Sequence, residues 1–163
     1  MNNDAIFDLS NLNSTEYDDR VEFSGYASVF DVLDSHNDVI LKGAFKNIID
    51  NIPLLWQHEV NNPIGKITLA KEDDFGLFIE GFITKKTKKA NEAIELVNQG
   101  VLGNLSIGYF VKKSEEKNNV NYVTELELKE ISLVSIPANQ ETSITLKTAM
   151  SGKIEKLIRI LRS

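Results

Sequence analysis

The sequence predicts an α+β fold: a mostly antiparallel β-barrel flanked by two or three helices. Three observations carry that expectation. Apolar and small residues alternate over several stretches, as in "VEFSGYASVFDV" from Val21, which is the period of a strand with one buried face. "NNPIGKITLAKEDDFGLFIEGFIT" reads as two strands joined by a tight turn at "EDDFG". By contrast, one interior segment, "KKANEAIELVNQG", carries strong helical spacing, with Ala90, Ala93, Ile94 and Val97 on a stripe and Gly100 where a C-terminal glycine cap belongs.

Taken in order, residues 1–20 are a polar, acidic lead-in. The first strand starts at Val21, and Gly25 within it suggests a bend or bulge. "DSHND" is a turn by composition. "ILKGAFKNIID" offers a short helix with Leu41, Phe45, Ile48 and Ile49 on one stripe, and "NIPLLWQHEV" a strand that begins after Pro53. In "GVLGNLSIGYFV" (100–111), Leu105, Ile107, Tyr109 and Val111 take one face, while Ser106, Gly108 and Phe110 take the other. A polar hairpin tip, "KKSEEKNN", leads into a long strand from Val120 to Ile136. The chain thus divides into the lead-in, a domain over 21–149, and a basic amphipathic helix over 150–163. In that tail Ile154, Leu157, Ile158 and Leu161 form a stripe expected to pack on the barrel or on a second copy.

Composition narrows the function classes. The chain has 163 residues, 42% apolar and 26% charged, which suits a folded domain with a core of its own. Lys and Arg total 18 against 24 Asp and Glu, a net charge of −6, which argues against general nucleic-acid binding. No apolar run approaches the ~20 residues that cross a bilayer, and the N-terminus lacks the pattern of a signal peptide. The absence of cysteine excludes a disulfide framework, a thiolate nucleophile and a zinc–thiolate site. An intracellular setting follows as the expectation.

The residues able to do chemistry are few. The two histidines are His36, in a polar turn, and His58, at the end of "PLLWQH" on the face of Leu54 and Trp56. In "LELKEISLVSIPAN" a regular strand places Leu126, Leu128, Glu130, Ser132, Val134 and Ile136 on one buried face, so Glu130 points inward and needs a hydrogen-bonding partner. A bulge at Lys129–Glu130 would turn it outward instead. A serine beside a glycine that clears space, a histidine and an inward carboxylate are the parts of a serine hydrolase. Each also has a plain structural reading: a strand serine bonded to a carbonyl, a histidine at the edge of an apolar surface. Asp34, His36 and Asp38 alternate as hard ligands would, but no further histidine or cysteine completes a metal site, so neither metal nor cofactor is expected.

Several segments, in order, then add a resemblance: "GYASVFDVLDSHNDVILKGAF", "IPLLWQHEVNNPIGKI", "GLFIEG", "NQGVLGNLSIGY" and "LKEISLVSIPAN". Over roughly residues 21–145 the chain resembles the tailed-phage prohead proteases of the HK97 type, which are distantly similar to herpesvirus assembly proteases. The resemblance implies a serine endopeptidase that works inside the procapsid, in the host cytoplasm, and cuts the major capsid protein, its scaffolding segment and itself. It implies a histidine at His58 and a serine at Ser106, with Glu130 as the third member. His36 becomes a bystander and Gly108 room for a substrate backbone. No arginine occurs between Arg20 and Arg159, so the oxyanion donors are sought in "SIPANQ", at the backbone N–H groups of Ala138 and Asn139. The alternative there is that Pro137 and Asn139 simply end a strand. The rival functions are an inactive capsid-scaffold binding module with the protease fold and a metal-dependent hydrolase. A homodimer is left open.

Overall fold

A computed structural model describes residues 19–49, 51–147, 154 and 157–162. The lead-in over residues 1–18 lies outside the described residues. Eight strands and one interior helix follow: β1 (Arg20–Val29), β2 (Asp38–Ile40), β3 (Pro53–Trp56), β4 (Glu59–Glu72), β5 (Gly76–Thr84), α1 (Lys88–Asn98), β6 (Asn104–Lys117), β7 (Val120–Val134) and β8 (Ser143–Leu146).

The strands form a single sheet in the order β2-β7-β3-β4-β5-β1-β8, with β6 paired along β7. Pairing is antiparallel except where β7 meets β2 and β3 in parallel. Among the described residues the ladder does not close into a barrel. Where β8 comes up against the start of β6, isolated bonds replace a ladder: Thr142 Oγ1 donates to the Leu105 carbonyl at 2.6 Å, Ile144 N–H to the Gly103 carbonyl at 3.1 Å, and Asn104 Nδ2 to the Thr142 carbonyl at 2.7 Å. Phe23, Leu54, Ile64, Ile79, Ile83, Leu105, Ile131 and Leu133 are fully buried in one cluster that also takes Ala90, Ala93 and Ile94 of α1.

The helix matches its spacing. Thr87 caps its start by accepting from Ala90 N–H, and Gly100, at φ +71°, ends it. The Gly100 N–H bonds to the Val97 carbonyl and the Val101 N–H to the Leu96 carbonyl, closing the last turn as a Schellman motif. The expected "EDDFG" turn joins β4 to β5, with Asp73 Oδ1 accepting the N–H groups of Phe75 and Gly76.

Other expectations are corrected. "ILKGAFKNIID" is not helical over its described residues. The N–H groups of Gly43 and Phe45 bond to the Glu72 carboxylate at 3.0–3.1 Å, the Leu41 N–H to the Val123 carbonyl, and the Ala44 carbonyl accepts from Leu126. Partners on β4 and β7 thus take the backbone groups that a helix would have paired within itself. Gly25 makes no bulge. The register of β1 on β5 slips two positions later, at Ala27, and a Cβ on Gly25 would lie 2.0 Å from the Ser143 carbonyl oxygen, so glycine there lets β8 dock. In the tail, residues 148–153, 155, 156 and 163 lie outside the described residues. Residues 157–161 are helical, and Ile154, Ile158 and Leu161 of the apolar stripe are exposed in the single chain, which leaves the expected packing on a second copy open.

Candidate active site

Ser106 sits near the start of β6, opposite Ser132 of β7, and Gly108 sits opposite Glu130. Directly paired residues share a face, so Ser106, Gly108, Glu130 and Ser132 lie together on one side of the ribbon. Tyr109, however, pairs with Leu128. Lys129 is therefore an extra residue, a β-bulge that reverses the parity of β7. Below it Leu126 and Leu128 share the core with Ile131 and Leu133 above it, and Glu130 turns to the opposite face. The regular-strand argument placed Glu130 beside Leu128, and the bulge overturns that argument. It brings the carboxylate to Ser106's side by another route, with 16% of its side chain exposed.

His58 is not on a strand. β3 stops at Trp56, which pairs with Glu59, and Gln57 and His58 form a two-residue turn with φ of 49° and 61°. Left-handed backbone at two consecutive non-glycine residues is unfavourable, and such turns favour Asn-Gly. Hydrogen bonds to β7 hold the turn. Gln57 N–H donates to the Leu133 carbonyl at 3.0 Å, and Gln57 Oε1 accepts from Ser135 N–H at 3.2 Å. His58 N–H donates to Ser132 Oγ at 3.2 Å. The parallel pairing of β3 with β7, Leu54 opposite Ile131 and Trp56 opposite Leu133, sets the turn at this height.

There the His58 ring meets Glu130, Nδ1 lying 2.5 Å from Oε1. The other carboxylate oxygen accepts from Ser132 Oγ at 2.6 Å. In the tautomer with Nδ1–H toward Glu130, Nε2 is the acceptor nitrogen. The histidine side chain is 45% exposed, and neither Nε2 nor the Ser106 hydroxyl bonds to another described residue. Ser106 itself is only 4% exposed.

Gly108 also has a role that its sequence did not suggest. A Cβ there would lie 2.6 Å from Glu130 Oε1, so the missing side chain makes room for the carboxylate.

Ser132 was missed as a working residue. Its only signal was its place two residues after Glu130 in "KEISLVS". Fully buried, it donates to Glu130 and accepts from His58 N–H, tying both to β7. Ser132→Ala removes both bonds. It is expected to lower stability by about 1 kcal/mol and turnover by about tenfold, read from a melting curve and from initial rates side by side.

On the other side, Ser106, Ile107 and Gly108 line a cavity of about 300 Å³ together with Ala138 and Asn139. The loop after β7 is pinned there. Ser35 N–H donates to the Ala138 carbonyl at 3.1 Å, and Asn139 Nδ2 donates to the Val29 carbonyl at 2.8 Å. No described residue accepts from the N–H groups of Ala138 and Asn139. His36 lines the same cavity with Asp34 and Asp38. Asp34 Oδ1 caps its own turn by accepting His36 and Asp38 N–H at 2.8 and 2.9 Å. Among the described residues no group of carboxylates and histidines is placed to hold a metal ion.

Residues 10–156 match the family of Caudovirus prohead serine proteases. The chain belongs to that family. Prohead protease of Enterobacteria phage HK97 is 30% identical over 154 residues, which covers 90% of this chain and 68% of that protein. Prohead protease of Escherichia phage T5 is 30% identical over 152 residues, covering 88% and 71%. The capsid polyprotein of Pseudomonas phage PAJU2 is 35% identical over 102 residues, 58% of this chain and 15% of that one. Among solved structures, Kaposi's sarcoma herpesvirus (KSHV) protease in complex with a hexapeptide phosphonate inhibitor superposes with a TM-score of 0.58 at 13% identity. The match covers 79% of this chain and 65% of that one, so the chain spans just under two thirds of the herpesvirus structure. The same protease with an allosteric inhibitor gives 0.52 at 12% identity, covering 83% and 82%. This prohead protease therefore has a herpesvirus-protease-like fold. No described helix is long and apolar enough to cross a membrane.

Proposed function

We propose that this prohead protease is a serine endopeptidase whose nucleophile is Ser106, whose base is His58 and whose third member is Glu130. The observation that carries the reading is the 2.5 Å contact of His58 Nδ1 with Glu130, on the face of the β6–β7 ribbon that bears Ser106. Glu130 holds the imidazole in the tautomer with a basic Nε2 and stabilises its cation once protonated. Nε2 takes the Ser106 proton as Oγ attacks the scissile carbonyl, then returns it to the leaving amine. Water, deprotonated by the same nitrogen, cleaves the acyl-enzyme. The N–H groups of Ala138 and Asn139, unpaired beside Ser106, suit the developing oxyanion.

The substrate in this reading is the major capsid protein with its scaffolding segment, and the chain cuts itself, inside a procapsid in the host cytoplasm. The relative named as a capsid polyprotein supports this, since there a protease-like segment lies within a protein named for the capsid. Incubating the purified chain with its capsid protein tests both parts. Shortened fragments are expected, blocked by a peptide phosphonate and untouched by a chelator. Chelator-sensitive cleavage would favour the metal reading of Asp34, His36 and Asp38, and no cleavage would favour the inactive binding module.

A further inference from the structure

The cavity beside Ser106 has a wall that the proposed chemistry does not use. Asp34 and Asp38 line it, and no lysine or arginine does. Every hydrogen bond to these two carboxylates comes from a neutral donor. Asp38 accepts from Tyr109 Oη at 2.6 Å and Asn121 Nδ2 at 2.9 Å, and Asp34 from backbone N–H groups and, at 3.5 Å, from Tyr109. Burial and these carboxylates push the Tyr109 phenol well above its ordinary pKa, so it stays a neutral donor. Two negative charges therefore line the cavity, and neither belongs to an ion pair among the described residues.

An independent observation points the same way. Ser28, 1% exposed, also lines the cavity, and its hydroxyl has no hydrogen-bond partner. A buried unpaired hydroxyl is costly and calls for an explanation. It follows directly on the β1 bulge at Ala27, a feature that re-aims side chains.

We infer that this cavity is the subsite for a lysine or arginine side chain adjacent to the scissile bond. The inference rests on the proteolytic reading above. An ammonium or guanidinium group placed between the two carboxylates offsets one of their two negative charges and donates to Ser28 Oγ. An acidic side chain would be repelled, an apolar one would leave Ser28 unpaired, and an amide would leave the charge uncompensated.

The test is a set of peptides spanning a mapped cleavage site, varied at the two flanking positions to Lys, Arg, Gln, norleucine and Glu, and compared by kcat/KM. Lys or Arg at one flanking position is expected to exceed norleucine by about tenfold or more. Asp38→Asn should erase most of that ratio. Because Asp38 also anchors Tyr109 and Asn121, His36→Lys serves as the second variant: it sets a cation at an exposed position of the lining and should lower the ratio about tenfold. Cleavage with no cationic preference, or a preference unchanged in His36→Lys, overturns the subsite and leaves the protease standing. Failure to cleave the capsid protein or any peptide overturns both.

Discussion

Ser106→Ala is expected to fold with an unchanged melting temperature and to lose capsid-protein processing by about 10³-fold or more. Stability should hold because the Ser106 hydroxyl makes no hydrogen bond to a described residue, so its removal leaves no partner unsatisfied. Activity should collapse because His58 and Glu130 only prepare a nucleophile and do not replace it. Mass spectrometry of capsid-protein fragments made by protein purified free of wild type checks it. Appreciable residual processing at the native site would remove Ser106 from its role.

The second large effect is expected from one methyl group. In Gly108→Ala the new Cβ meets Glu130 Oε1 at 2.6 Å and its Cγ and Cδ at 3.0 and 3.1 Å. The carboxylate has to swing aside, and the Nδ1 bond that orients His58 goes with it. Displacement of this kind costs roughly 10²-fold in rate. The loss should fall on kcat rather than KM, and Glu130→Gln should show a comparable loss while the double variant adds little. A Gly108→Ala enzyme with near wild-type kcat would mean that the carboxylate does not orient the histidine.

What could be read from the residues follows the range of the physics involved. The capped helix at 88–98 and the β4–β5 hairpin were legible because their signals are local: helical spacing with a terminal glycine, alternation around an Asp-rich turn. The face shared by Ser106 and Gly108 was legible for the same reason. The residues 40–49 misled because their apolar stripe is real, yet their N–H groups are claimed by Glu72, 27 residues or more away in sequence. His58 was assigned to a strand because nothing in "WQHEV" announces left-handed backbone, and only docking on β7 makes that conformation affordable. Glu130 does meet the His58 ring, but the parity argument that turned it inward was incorrect, since a bulge leaves no mark in composition.

That bulge makes the geometry at Glu130 depend on how many residues precede it and hardly on which they are. Lys129 reaches outward, pairing with Glu127 and lying over the Phe110 ring 5.0 Å away, so many side chains would serve in its place. Its deletion is another matter. The hairpin would fall into continuous register, and Glu130 could stay beside Gly108 only if Leu126 and Leu128 left the core. Point substitution at this position should therefore be nearly silent, whereas frame-preserving deletion forces a choice between the hydrophobic interior and the acid. What the ribbon needs at this position is the space of a residue, whatever side chain fills it.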